Sequence, residues 1–172
     1  MSGKSETLNE KKELVITRVF NAPRELVFKA CTEATHLANW WGPAGLKLSV
    51  IKLEVRPGGT FLYGMHAENG SEMYGKFVYH AIQAPEKLVF VNSFSDKEGN
   101  IIRAPFSNVW PLEIMNTWTF TEEGQGKTKI TLRGMPYHAT EEEHKAFEEM
   151  FPSMQQGFGA TFDQLDTYLT TL

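Results

Sequence analysis

Alternation of apolar and polar residues runs through the middle of the chain and predicts β-structure. Residues 14–20 are rich in β-branched side chains and predict a first strand. Six further strands are predicted over residues 46–55, 60–66, 73–82, 87–94, 112–122 and 127–135. Alternate residues of a strand point to the same face, so each strand presents one apolar and one more polar face. This pattern is typical of an antiparallel sheet with one buried face.

Helical spacing of apolar residues is confined to two parts of the chain. After the first strand, Pro23 suits a first helical turn, and a second short helix over residues 33–41 ends at Gly42. Near the C-terminus, Thr140 and Glu143 fit a capping box that opens a helical region, which Pro152 divides. Apolar residues follow there at spacings of three and four: Phe147, Met150, Phe151, Met154, Phe158, Phe162, Leu165 and Leu169.

The order of these elements predicts an α+β fold. A curved antiparallel sheet of about seven strands wraps around a long C-terminal helix, and two short helices follow strand 1. Residues 1–12 are polar and are predicted to form a mobile tail, and residues 13–172 a single domain. One helix covers a curved sheet incompletely, so we expect a cavity between them.

Composition excludes several function classes. The 172 residues carry a net charge of −4, which argues against nucleic-acid binding through phosphate charge. No stretch approaches 18 apolar residues, so no membrane span or membrane partner is predicted. Cys31 is the only cysteine, which excludes an internal disulfide, and the N-terminus lacks the apolar core of a secretory signal. These features favour the cytoplasm.

No metal or cofactor is predicted from the sequence. His138 and His144 flank three glutamates, but a spacing of six places two histidines on different faces of a helix. The sequence around Gly126 resembles the end of a phosphate-binding loop, but a strand follows it where that loop requires a helix.

Several segments together resemble a known family, the activator of Hsp90 ATPase homologue 1-like domains of the START/Bet v 1-like superfamily. The matching segments are ELVITR at 13–18, NAPRELVF at 21–28, HLANWWGP at 36–43, RPGG at 56–59, PEKLVF at 85–90 and the helix at 158–169. The resemblance implies a helix-grip fold. Residues 101–111 and 137–156 look longer than usual for the family, so a cavity mouth formed by them would be particular to this protein.

The expected cavity wall combines inward residues of the strands with the stripe of the terminal helix. The candidate ligand-binding residues are Trp41, Phe61, Tyr63, Met65, Phe77, Tyr79, Asn116, Trp118, Phe120, Met154 and Phe158. Polar groups in register with an apolar wall are typical of small-molecule sites. The alternative is that these aromatic residues form only a core. For the Trp40-Trp41 pair two interpretations compete: an indole walls the cavity mouth, or it plugs the end of the sheet with its N–H on a backbone carbonyl. Plugging is expected for at least one of the two. Gly157 and Gly159 suggest close backbone approach or a cavity that needs room.

Three functions compete at this point. The first is binding of a small apolar or amphipathic molecule. The alternative is a cofactor-independent cyclase, isomerase or dehydratase that uses Tyr63, Tyr79, His66 or Asn116 as acid, base or oxyanion donor. A third is an Hsp90 co-chaperone, which the family name suggests; the second module of eukaryotic relatives finds no room in this chain. Arg18 and Arg103 are candidate partners for a ligand carboxylate, and a homodimer is left open. A converging Tyr–His–Asn set would favour chemistry, and an apolar lining would favour carriage.

Overall fold

The computed structural model describes residues 11–172, so most of the predicted tail lies outside the described residues. All seven predicted strands are confirmed, with ends within two residues of those predicted. They are β1 (Leu14–Phe20), β2 (Lys47–Leu53), β3 (Thr60–His66), β4 (Glu72–Gln83), β5 (Lys87–Ser95), β6 (Ile114–Glu122) and β7 (Thr128–Pro136).

The strands form one curved antiparallel sheet in the order β1-β7-β6-β5-β4-β3-β2. From β2 to β7 each strand pairs with the next along the chain, and β1 pairs with β7. Register shifts between Val50 and Lys52 and between Tyr79 and Ala81 mark bulges, which increase local bend and twist. The concave face therefore carries the inward residues of consecutive strands side by side.

Four helices complete the fold: α1 (Arg24–Ala30), α2 (Ala34–Trp40), α3 (Glu141–Glu149) and α4 (Phe151–Leu169). The predicted capping box is present, because the Thr140 side chain accepts from the Glu143 backbone and the Glu143 side chain accepts from the Thr140 backbone. Pro152 lies in the first turn of α4, where a missing N–H costs no helical hydrogen bond, so it divides α3 from α4 as predicted. Among residues 11–172, no helix combines the length and apolar character that spanning a bilayer requires.

A fully buried part of the core lies under the C-terminal half of α4. Phe162 and Leu165 are fully buried there, together with Ile130 and Leu132 of β7. Phe162 meets Phe20 of β1 edge-on, with ring centroids 5.5 Å apart. The sheet wrapped around a long C-terminal helix, with two short helices after strand 1, is the predicted α+β helix-grip arrangement.

Candidate functional site: an apolar cavity under the terminal helix

A cavity of about 480 Å³ lies between the N-terminal half of α4 and the concave face of the sheet. This volume is within the range of small-molecule binding sites. The structure places eight of the eleven candidate residues around it: Trp41, Tyr63, Met65, Phe77, Asn116, Trp118, Met154 and Phe158. They come from the α2–β2 connection, from strands β3, β4 and β6, and from α4.

Three candidates, Phe61, Tyr79 and Phe120, do not line the cavity. They point to the concave face as predicted, but lie further along their strands, outside the cavity. Phe120 meets Phe28 of α1 edge-on at a centroid distance of 5.1 Å. All three side chains are at least 99 % buried and belong to the core. Strand alternation predicted the face on which these residues lie, whereas tertiary packing along the strands determines that they belong to the core.

Trp41 forms the centre of an aromatic wall. Its ring lies 5.4 Å from that of Phe77, 6.1 Å from that of Tyr63 and 5.8 Å from that of Trp118, measured between centroids. The contacts with Phe77 and Tyr63 are edge-to-face, and such contacts are favourable beyond the area that they bury. The cavity is therefore bounded on this side by aromatic rings in contact with one another.

The segment after Trp41 is fastened to α4 by hydrogen bonds. The carbonyl of Gly42 accepts from the Thr161 hydroxyl at 3.1 Å and from the Gln164 side-chain amide at 2.9 Å. Gly42 has a φ of +103°, a conformation that residues with a Cβ rarely adopt. These bonds hold the aromatic wall against the helix and set the height of the cavity.

The two adjacent tryptophans have different surroundings. Trp40 is buried, and its indole N–H donates to the carbonyl of Ala30 at 2.8 Å, which ties α2 to α1. Trp41 lines the cavity, and no acceptor among residues 11–172 bonds its indole N–H. Trp40 therefore has the buried, hydrogen-bonded position expected for at least one indole, while its neighbour Trp41 walls the cavity.

The polar surface of the cavity begins at Tyr63. Its cross-strand neighbour is Gly75, and a Cβ at that position would stand 2.5 Å from the Tyr63 hydroxyl oxygen. Glycine at position 75 therefore gives the phenol ring room to cross β4. Burial raises the pKa of Tyr63 to about 12, an effect that the nearby side chains of Trp41 and Asn92 offset only in part. The phenol is thus a neutral hydrogen-bonding group at physiological pH.

Two asparagines continue this polar surface across the sheet. Asn116 was predicted; its amide donates to the Ile114 carbonyl at 3.1 Å. Asn92 was missed, although it alternates with Phe90 and so shares its face; its amide donates to the Lys76 carbonyl at 3.5 Å. Asn92 pairs with Ile114 and Phe90 with Asn116 across β5 and β6, so the two asparagines are diagonal neighbours on the concave face.

Among the described residues, no Asp, Glu, Lys, Arg or His side chain lines the cavity. His66, proposed as an acid or base, points away from it and contacts the Ser49 hydroxyl and the Glu72 carboxylate, each at 2.8 Å. Arg18 is paired with Asp163 at 2.6 Å rather than facing a ligand carboxylate. Within the described part of the chain, no three His, Cys, Asp or Glu side chains gather into a potential metal site.

Arg103 has a structural partner too. Its guanidinium donates to the Glu143 carboxylate of α3 and to the Trp110 carbonyl, the latter at 3.0 Å. This hydrogen bond is the main reason that the pKa of Glu143 lies below its ordinary value. The Trp110 ring also packs on Phe147 of α3 at 5.6 Å. Arg103 thus fixes residues 101–112, which we call the rim loop, to α3.

The rim loop contributes lining residues that the sequence prediction missed. Phe106, Trp110 and Pro111 line the cavity, and Phe106 is 57 % exposed. The loop has no periodicity from which an inward face could be predicted. Only its unusual length indicated a role at the cavity mouth. The exposed lining residues Pro43, Phe106 and Ser153 mark the side on which the cavity opens to solvent.

Of the two glycines of α4, only Gly157 borders the cavity. A Cβ on Gly157 or on Gly159 would meet no atom within 4 Å, so close backbone approach is the wrong explanation for both. Gly157 lines the cavity and Gly159 does not. We find no structural reason for glycine at position 159.

Comparison with known proteins identifies a family and several solved structures that this chain resembles. Residues 21–170 match the family described as "Activator of Hsp90 ATPase homolog 1-like protein". The chain belongs to that family. No curated protein matches the chain significantly. Protein Ms6760 from Mycobacterium smegmatis is 27% identical with a TM-score of 0.74, and the match covers 93% of this chain and 91% of that one.

Two further solved structures share the fold at lower identity. A protein from Arthrobacter aurescens is 24% identical with a TM-score of 0.75, covering 93% of this chain and 87% of that one. A protein from Staphylococcus epidermidis is 24% identical with a TM-score of 0.73, covering 95% and 92% respectively. The family and the fold are therefore those that the sequence motifs implied.

Proposed function

We propose that the chain binds a small, largely apolar molecule in the cavity under α4. The observation that carries this proposal is an uncharged cavity of about 480 Å³ walled mainly by aromatic rings and methionines. Membership of a fold family that commonly binds hydrophobic ligands supports it. Ligand surface transferred from water into such a wall gains about 0.8 kcal/mol for each methylene buried.

The shape of the wall also supports binding rather than simple core packing. In the N-terminal half of α4, Met154 and Phe158 are only half-buried although both face the sheet. Protein cores rarely leave voids larger than a water molecule. Space of this size beneath an apolar helix stripe is therefore better explained by an occupant than by imperfect packing. Methionine, with its flexible side chain, adapts to such an occupant.

The enzyme alternative has weaker support. Tyr63 and Asn116 do converge on the cavity, which is the observation in its favour. However, His66 and Tyr79 lie outside it, and Tyr63 has a pKa of about 12. A general base or acid works best with a pKa near the operating pH. The phenol is suited to donate a hydrogen bond to a ligand, and we assign it that role.

Two glycine substitutions test the proposal directly. Nile red, an uncharged dye whose emission rises in apolar surroundings, is titrated into the wild-type chain, Gly157→Leu and Gly159→Leu. Both substitutions place a leucine on α4 where a Cβ meets no atom, and both replace glycine with a better helix former. Only Gly157 lines the cavity, so only that leucine competes with the dye for space.

We expect micromolar dye binding by the wild type and by Gly159→Leu, with at least tenfold weaker binding by Gly157→Leu. Thermal melting of the three proteins checks that each is folded. Absence of dye binding by the wild type would contradict the proposal. Equal binding by all three proteins would also contradict it, because the dye would then occupy another surface.

A further inference from the structure

Three hydrogen-bonding side chains of the cavity wall lie close together on the sheet. Tyr63 lies on β3, Asn92 on β5 and Asn116 on β6, and we call these three residues the polar strip. The Asn92 side chain lies close to the Tyr63 hydroxyl, and Asn92 and Asn116 are diagonal neighbours. The strip therefore runs continuously across the concave face beneath α4.

The polar strip has unused hydrogen-bonding capacity. Within residues 11–172, the carbonyl oxygen of Asn116 accepts no hydrogen bond and the Tyr63 O–H donates none, whereas the Tyr63 oxygen faces the side-chain donors of Trp41 and Asn92. The hydroxyl both donates and accepts, and the amide oxygen accepts. Buried polar groups in proteins are nearly always paired. A ligand group that both donates and accepts would complete these bonds.

The same surroundings are unfavourable for a charged ligand group. The described lining residues include no ionisable side chain of opposite charge for either a carboxylate or an amine. The two arginines that were candidate partners for a ligand carboxylate already pair with acidic residues, Arg18 with Asp163 and Arg103 with Glu143. Burial of an unpaired ion costs several kcal/mol. The raised pKa of Tyr63 shows the same preference for the neutral form.

Resting on the proposed function, we propose that the ligand is an uncharged, ring-containing alcohol or phenol. Its hydroxyl lies on the polar strip and its ring against Trp41, Phe77 and Trp118. Edge-to-face and offset contacts between aromatic rings favour a planar ring there over a flexible chain. The hydroxyl donates to the Asn116 carbonyl oxygen or accepts from the Tyr63 phenol, so one ligand group uses the capacity that the protein leaves free.

Three probes on one ring skeleton separate this proposal from the proposed function. Equilibrium dialysis at pH 7 measures the affinity of naphthalene, 2-naphthol and 2-naphthoate. We expect 2-naphthol to bind about three- to tenfold more tightly than naphthalene, the usual range for one net hydrogen bond. We expect 2-naphthoate to bind at least about tenfold more weakly than 2-naphthol, because its charge finds no partner.

Substitutions in the polar strip test which residues cause the preference for 2-naphthol over naphthalene. Tyr63→Phe and Asn116→Leu should each reduce the preference for 2-naphthol over naphthalene while naphthalene affinity changes less than twofold. Tyr79→Phe is the matched control, because Tyr79 is equally buried but lies outside the cavity; it should keep the full preference. Because the readout is a ratio of two affinities on one protein, a modest loss of stability does not imitate the result.

The outcomes are distinguishable. Equal or tighter binding of 2-naphthoate would overturn the uncharged class, and equal binding of naphthalene and 2-naphthol would overturn the role of the hydroxyl; in both cases the proposed function would stand. A preference that survives both Tyr63→Phe and Asn116→Leu would overturn the assignment to the polar strip. Failure of all three probes to bind would overturn the proposed function, and this inference with it.

Discussion

The two halves of α4 face the same sheet but have different surroundings. In the C-terminal half, Phe162 and Leu165 are fully buried against β1 and β7, and α1 and α2 pack beside them. In the N-terminal half, Met154 and Phe158 continue the same apolar stripe yet are only half-buried, and the cavity lies beneath them. One helix therefore serves as core at one end and as the cover of a cavity at the other.

This difference shows how the fold combines stability with an open site. At the packed end, the short helices supply the extra layer that one helix cannot provide over a curved sheet. At the open end, that place is taken by the rim loop, which Arg103 attaches to α3, and by the segment that Gly42 attaches to α4. Hydrogen bonds at the edges fix the positions of these walls, so the cavity between them need not be filled by side chains.

The largest difference between the two ends is expected for the two phenylalanines of α4. Phe162→Ala should lower the free energy of unfolding by about 3–5 kcal/mol, because it empties a fully buried site. Phe158→Ala should cost only about 1–2 kcal/mol, since its ring already borders open space, but should change Nile red affinity several-fold. Urea unfolding measures the free energy of unfolding of both variants. Equal losses of stability would mean that the two ends are packed alike.

A smaller contrast is expected between the adjacent tryptophans. Trp40→Phe removes the donor to the Ala30 carbonyl and should cost about 1–3 kcal/mol while leaving Nile red affinity unchanged. Trp41→Phe removes an N–H that has no acceptor among the described residues, so it should cost less than about 1 kcal/mol and weaken dye binding. Thermal melts and dye titrations of both variants check this. The reverse pattern would exchange the roles assigned to the two indoles.

The smallest effect on global stability is expected at the rim loop. Arg103→Gln should cost about 1 kcal/mol and speed hydrogen exchange across residues 101–112. Because the pKa of Glu143 is lowered, the pair stabilises the protein above the ordinary glutamate range, near pH 4.3. This stabilisation is lost as the pH falls through the lower value in the folded state, and it should be missing from the variant's pH profile.

Arg133→Gln is the control for that experiment, because Arg133 pairs with Glu13 at 2.7 Å on an exposed part of the sheet. It should leave exchange in the rim loop unchanged, since exposed ion pairs contribute little. Equal exchange rates in the rim loop of wild type and Arg103→Gln would show that the loop is held by its apolar contacts alone.

The sheet could be predicted from the sequence because strand alternation is a local property. Alternation along each strand is enough to assign Tyr63, Phe77 and Trp118 to the concave face. It also assigns Asn92 to that face, although Asn92 was not among the candidates. Alternation cannot tell which inward residues lie under α1 and which lie under the open half of α4. That distinction, which removes Tyr79 and Phe120 from the cavity wall, depends on tertiary packing.

The rim loop marks the other limit of prediction. Phe106 and Trp110 are placed by Arg103 and by Phe147 of α3, contacts between distant parts of the chain that leave no periodic pattern. Likewise, the sequence alone does not tell whether Arg18 and Arg103 bind a ligand carboxylate or an acidic side chain, because their partners Asp163 and Glu143 are distant in the chain.

If the open half of the fold, and not the packed half, binds an uncharged ligand, the four tryptophans report on this directly. In a ¹⁵N-labelled protein each indole N–H gives one NMR signal, and single Trp→Phe variants assign the signals. Addition of 2-naphthol should shift the signals of Trp41, Trp110 and Trp118, which line the cavity, and leave that of Trp40 in place. No shift at the three cavity tryptophans, or a shift confined to Trp40, would contradict the account.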